Sequence, residues 1–153
     1  MIDLSDPRTM ALLEAVGARY WWGSGALEDG LGAWPGGPWD CAGLAQAALL
    51  RLGLDAAGAW RDKGAADLAQ ACDPVPLGSE LPGDLVFYDS DRGRSITHVT
   101  VVLCASMCIG ANGGGSQTRG DDPSACVQVR PITYRPDFLT IGRIKAAYRK
   151  VIP

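Results

Sequence analysis

Histidine occurs once in this 153-residue chain, basic residues never gather into a cluster, and no apolar run is long. Each scarcity closes off a class of function. Five cysteines at irregular spacing and one histidine argue against a structural zinc site: Cys104 and Cys108 are close, but no second close pair accompanies them. A formal net charge of −3 without a Lys/Arg patch argues against nucleic acid as the main partner. No stretch reaches the roughly 20 apolar residues of a membrane-spanning helix. The first residues, MIDLSDPRTMALLEAVG, are acidic where a signal peptide is basic and lack a long apolar segment. The chain is therefore expected to be made in the cytoplasm without an export signal. In that setting an odd number of cysteines reads as reduced thiols rather than a disulfide frame.

What is present is the composition of an ordinary globular protein, 47% hydrophobic and 20% charged, and residues 1–153 read as a single domain. A first helix is expected over 7–18, capped by Ser5 or Asp6, with Pro7 in its first turn and Met10, Leu13, Ala15 and Val16 facing inward. A loop rich in Gly, Pro and Trp follows, from Gly25 to Trp39. From Cys41, residues Leu44, Ala45, Ala48, Leu49 and Leu52 recur at helical spacing and predict a packed helix that stops near Gly53. A short helix over 65–71 leads into the Pro-rich segment CDPVPLGSELPGD. Strands are expected over 85–89, 96–104, 107–112, 125–129 and 138–144, with a polar loop at DSDRGRS. Helices first and strands later indicate an α+β fold with a mainly antiparallel sheet of five to six strands.

Two residues stand out chemically. Cys41 opens the apolar helix, where unpaired backbone N–H groups and the positive end of the dipole favour a thiolate. The plain alternative is one more buried cysteine. His98 is expected in the middle of the best strand, on the face of Ile96, Thr100 and Val102; alone, it reads equally as a satisfied structural residue. Together they form a pair: a thiol nucleophile needs a base that takes its proton and later delivers it to the leaving amine. A helix-start cysteine followed by a strand histidine is the arrangement of papain-like thiol hydrolases.

Four separated pieces, VGARYWWGSG (16–25), WDCAGLAQAAL (39–49), LPGDLVFYD (81–89) and THVTVVL (97–103), occur in the order of the NlpC/P60 cysteine peptidases. They resemble that family's G-x-x-Y-x-W-G, D-C-S-G-L, P-G-D-L-V-F-F and H-V-x-I-Y-x-G segments, and FLTIGRIK resembles its arginine-containing end. The resemblance implies a papain-like fold with N-terminal helices packed on the sheet. It implies Cys41 as nucleophile, His98 as base and Tyr20 beside the nucleophile, with no cofactor or metal. Backbone N–H groups at the helix start would meet the oxyanion. Asp40 either caps that helix or contacts substrate. Trp39, with Trp21, Trp22 and Trp34, is read either as a groove wall toward substrate or as an anchor for the loop; for Trp21 and Trp22 the anchor is favoured.

Two departures accompany the match. Ala42 replaces the serine that follows the nucleophile. Gly110 occupies the place of the third polar residue, where the family has His, Asn or Gln. Asn112, two residues on and on the same strand face, is expected to substitute, lying opposite His98 in an antiparallel register. The competing readings are a backbone carbonyl or water behind His98, or a strand-end turn residue at 112.

The implied substrate is a peptidoglycan stem peptide, cut at an amide such as that from γ-D-glutamate to a diamino acid. Without an export signal, action on the cell wall would follow delivery by a bacteriophage, as a lysin or tail enzyme, or by a secretion system. Alternatives are an amidase or acyltransferase on the same fold, or a non-catalytic assembly or binding module.

Overall fold

The computed structural model describes residues 2–23, 34–54, 64–89 and 96–146. Residues 90–95 of the expected polar loop DSDRGRS and much of the Gly/Pro/Trp-rich loop lie outside these residues.

Helices α1 (Pro7–Leu13), α2 (Cys41–Arg51) and α3 (Ala65–Gln70) accompany strands β1 (Cys72–Val75), β2 (Leu85–Tyr88), β3 (His98–Cys104), β4 (Met107–Asn112), β5 (Cys126–Pro131) and β6 (Phe138–Ile144). The strands form one sheet in the order β1-β6-β2-β3-β4-β5, and every pairing is antiparallel. The expected α+β architecture is thus present, with six strands.

β3 lies at the centre and is buried along its whole length, as its run of β-branched residues implies. Val99, Val101 and Leu103 face α2 and α1 in the larger core, with Leu44, Ala45, Ala48, Leu49 and Leu12. On the opposite face Val102 joins Val86, Tyr88, Cys108, Ile132 and Ile141 in a second, smaller core. α2 therefore sets its N-terminus against the sheet next to β3, and its expected apolar face is the buried one.

Three local expectations need correction. α1 ends at Leu13 rather than 18, and Met10 and Val16 are about half exposed; Ala15 is buried as expected, but Thr9, Ala11 and Leu12 form the rest of the inward face. Thr9 holds the helix to the sheet by donating its hydroxyl to the Leu103 carbonyl (2.8 Å). After the helix, Gly17 turns at φ +92° and its N–H goes to the Val127 carbonyl, so the chain leaves for the sheet. The segment expected to be a Pro-rich connection contains a strand, β1. It is an edge strand in which Pro74 pairs with Gly142 of β6, a position where a missing N–H is tolerated. His98 begins β3 instead of lying mid-strand.

The P-G-D turn before β2 is locked from the far end of the chain. Arg143 of β6 donates Nε and Nη2 to the two carboxylate oxygens of Asp84, each at 2.9 Å, and Asp84 also accepts the Leu81 N–H. This bidentate pair, buried on the aspartate side, ties β6 to the entry of β2.

Candidate active site

Asp40 adopts the extended backbone of an N-cap, and its Oδ1 accepts the Gly43 N–H at 2.7 Å. The capping role open to it from sequence is present. The partly buried Cys41 side chain projects from the first turn of α2. Backbone N–H groups of Val99, Ala42 and Cys41 are directed at its sulfur. Val99 directly follows His98, so the thiol and the head of β3 meet at one place.

The thiol does not have the charge state that the helix dipole alone would give. Burial pushes its pKa above the ordinary thiol value, the Asp40 carboxylate adds to the rise, and the three N–H groups only partly offset both. Cys41 rests as a neutral thiol.

His98 is 9% exposed and sits on the small-core side of the sheet, its ring 5.5 Å from that of Tyr88, its partner on β2. Nε2 lies 3.0 Å from Asn112 Oδ1. The register makes this contact: Val101 pairs with Ile109 and Val102 with Cys108, which carries 98 to the level of 112. Burial, reinforced by the Arg135 guanidinium, lowers the His98 pKa to about 4, while the Asn112 contact and the Asp137 carboxylate oppose the fall. The imidazole is neutral at pH 7. The amide oxygen of Asn112 can only accept, so with that oxygen facing the ring the hydrogen belongs on Nε2 and the lone pair on Nδ1.

Gly110 explains how Asn112 reaches this position. A Cβ at 110 would lie 2.5 Å from Thr100 Cγ2 and 2.9 Å from Asn112 Oδ1. The missing side chain leaves the room into which the Asn112 amide leans.

Tyr20 is 5% exposed, and its ring lies against Gly114, where a Cβ would come within 2.1 Å of it. Its backbone bridges Trp39, which precedes the Asp40–Cys41 pair. Burial, then the negative charges of a Cys41 thiolate and of Asp40, raise its pKa to about 12, so the phenol beside Cys41 stays a donor. The tryptophans differ in burial. Trp39 is fully buried and donates Nε1 to the Pro35 carbonyl (3.3 Å), so it cannot line a groove toward substrate; it anchors the loop before α2. Trp21 and Trp22, expected as anchors, are 41% and 49% exposed.

One side chain at the site had no signal in the sequence. Tyr134, in the turn between β5 and β6, donates its hydroxyl to Asn112 Oδ1 at 3.0 Å and lies 3.4 Å from His98 Nε2. Only the folded β5–β6 connection brings it there. Its ring meets Tyr88 edge-on at 5.6 Å, and the next residue, Arg135, lies over the Tyr88 ring and pairs with Asp137. Among the described residues, no group of three His, Cys, Asp or Glu side chains could hold a metal ion.

A helix-start thiol beside the strand that begins with an amide-backed imidazole has the outline of a papain-like thiol hydrolase. The chain belongs to the NlpC/P60 family, whose profile matches residues 17–130. Among solved structures it is similar to NlpC1 from Trichomonas vaginalis (18% identity, TM-score 0.65, covering 94% of this chain and 46% of that one). It is also similar to the peptidoglycan hydrolase RipB from Mycobacterium tuberculosis (23% identity, TM-score 0.58, covering 90% and 65%). A third similar structure is RipD from the same organism, a non-catalytic NlpC/p60 domain protein adapted to peptidoglycan binding (19% identity, TM-score 0.61, covering 92% and 99%). At these identities the likeness is one of fold, and the chain spans less than two thirds of NlpC1 and RipB. No match was found among curated proteins.

Proposed function

We propose that this chain is a cysteine endopeptidase that hydrolyses an amide of the peptidoglycan stem peptide, the bond from γ-D-glutamate to a diamino acid. The observation that carries this reading is the His98–Asn112 hydrogen bond at the head of β3, next to the Val99 N–H aimed at the Cys41 sulfur. Family membership and the likeness to RipB support the substrate class.

With both groups neutral at rest, His98 acts as a general base rather than as half of a preformed ion pair. Its Nδ1 takes the thiol proton as the sulfur attacks the carbonyl carbon. The negative oxygen of the tetrahedral intermediate is met by backbone N–H groups at the start of α2 and by the Tyr20 hydroxyl. Collapse breaks the C–N bond, His98 returns the proton to the departing amine, and a thioester remains on Cys41. Water, deprotonated by His98, then releases the new carboxylate and the free thiol.

The likeness to RipD supports a second reading, a peptidoglycan-binding module without turnover. Digestion of purified sacculi, with released fragments weighed by mass spectrometry, separates the two. The wild-type chain is expected to release peptides with a new amine terminus, and Cys41→Ala to release none while keeping its melting temperature. Equal release by Cys41→Ala would overturn the mechanism; wild-type binding without release would favour the module.

A further inference from the structure

An asparagine amide presents oxygen and nitrogen in nearly the same outline, so a neighbour must decide which end faces the imidazole. If the oxygen faces it, Nε2 must donate, and the lone pair at Nδ1 is left to take a proton. If the amide nitrogen faces it, Nε2 accepts, the ring hydrogen moves to Nδ1, and the base has no lone pair left to offer there. The tautomer of His98 therefore depends on the orientation of Asn112.

On the nitrogen side nothing among the described residues holds that orientation: Asn112 Nδ2 is buried and has no hydrogen-bond partner among them. On the oxygen side the Tyr134 hydroxyl donates, and Nε2 joins it as a donor only in the tautomer that bears its hydrogen there. Oδ1 is 3.0 Å from His98 Nε2 and 3.0 Å from the Tyr134 hydroxyl. The same hydroxyl is 3.4 Å from Nε2, so it sits beside the contact it would control.

We propose that Tyr134 is a positioning residue: by donating to Asn112 Oδ1 it keeps the amide oxygen toward His98 and so keeps the imidazole hydrogen on Nε2. Its catalytic consequence rests on the function proposed above; its effect on the imidazole does not. Burial raises the Tyr134 pKa, which keeps the hydroxyl a donor. A packing role alone would come from the ring, which meets Tyr88 edge-on, and phenylalanine would preserve it.

The single histidine makes the test direct, because the imidazole nitrogen signals of the full chain labelled with ¹⁵N-histidine belong to one residue. Above pH 6 the wild-type ring is expected in the Nε2–H form. Tyr134→Phe is expected to show a population of the Nδ1–H form and, on sacculi, a roughly tenfold lower kcat with KM unchanged. Asn112→Asp supplies the control, since a carboxylate has oxygen at both ends and needs no orienting. Adding Tyr134→Phe to Asn112→Asp is expected to change neither the tautomer nor kcat. A wild-type ring carrying its hydrogen on Nδ1 would overturn the proposal. So would a wild-type tautomer ratio in Tyr134→Phe, or the same loss in both backgrounds. If no form of the chain cleaves peptidoglycan, the proposed function falls, while the nitrogen spectra still decide the role of Tyr134.

Discussion

At the scale of single residues, the site depends on a glycine as much as on the groups that carry chemistry. Position 110 read as a deficit in the sequence, because it holds no side chain where a third polar group was sought. In the fold, its emptiness is what lets Asn112 reach across toward His98. Alternation and register were enough to place Asn112 opposite His98. The lack of room for a side chain at 110 was not legible, because it comes largely from Thr100 on the neighbouring strand. We predict that Gly110→Ala lowers stability by about 1–3 kcal/mol, the range for overfilling a packed site, and moves the Asn112 amide off the imidazole. Adding Thr100→Ser, which removes the Cγ2 methyl 2.5 Å from the new Cβ, is expected to restore the melting temperature more than the hydrolysis, since the 2.9 Å approach to Asn112 Oδ1 remains. Wild-type stability and wild-type hydrolysis in Gly110→Ala would show that the vacancy is incidental. Tyr134 marks the limit of legibility at this scale. No motif surrounds it, and its role arises only from how the β5–β6 connection folds back.

At the scale of the element, α2 shows a local rule being outweighed by its surroundings. The apolar spacing after Cys41 specified the helix and its buried face, and the aspartate before it specified the cap. The same local reasoning predicted a thiolate from the helix dipole. Burial and the Asp40 charge reverse that outcome, and a sequence window gives little indication of either strength. The cap and the charge can be separated. Asp40→Asn keeps an oxygen for the Gly43 N–H and removes the anion; Asp40→Ala removes both. We predict little change in stability for Asn and a loss of about 1 kcal/mol for Ala. Both should lower the Cys41 pKa, because removing a neighbouring anion favours the thiolate. Iodoacetamide at pH 7 should then alkylate Cys41 faster in either variant than in the wild type. An unchanged rate in Asp40→Asn would mean that burial alone holds the thiol neutral. β1 is the contrasting element: Pro74 within it hid it, because the rule that prolines interrupt strands does not hold at an unpaired edge.

At the scale of the whole molecule, the architecture was legible because long signals agree: one packed helix, one β-branched central strand, and strands late in the chain. What each residue faces was less legible, because that depends on how the two cores are filled; the full burial of Trp39, which the sequence left open between groove wall and anchor, is the clearest case. The second core also gives the molecule an unusual pH response. A histidine with a folded pKa of about 4 and an unfolded value near 6.5 takes up its proton more readily when the chain is unfolded. Above pH 6.5 neither state binds it, and the fold carries no penalty. As pH falls from 6.5 toward 4, the unfolded chain gains a proton that the folded chain refuses, so stability declines; below pH 4 both states are protonated and this contribution levels off. Between pH 7 and pH 4.5 the loss from His98 alone is about 2 kcal/mol. Other groups also titrate over that range, so the comparison is with His98→Gln, which keeps them and removes only the imidazole. Urea unfolding at the two pH values is expected to show a drop in the wild type larger by about that amount than in the variant. Parallel drops in the two proteins would mean that the imidazole is solvated in the folded state. Neither the small core nor the Arg135 guanidinium would then be acting on it as the geometry requires.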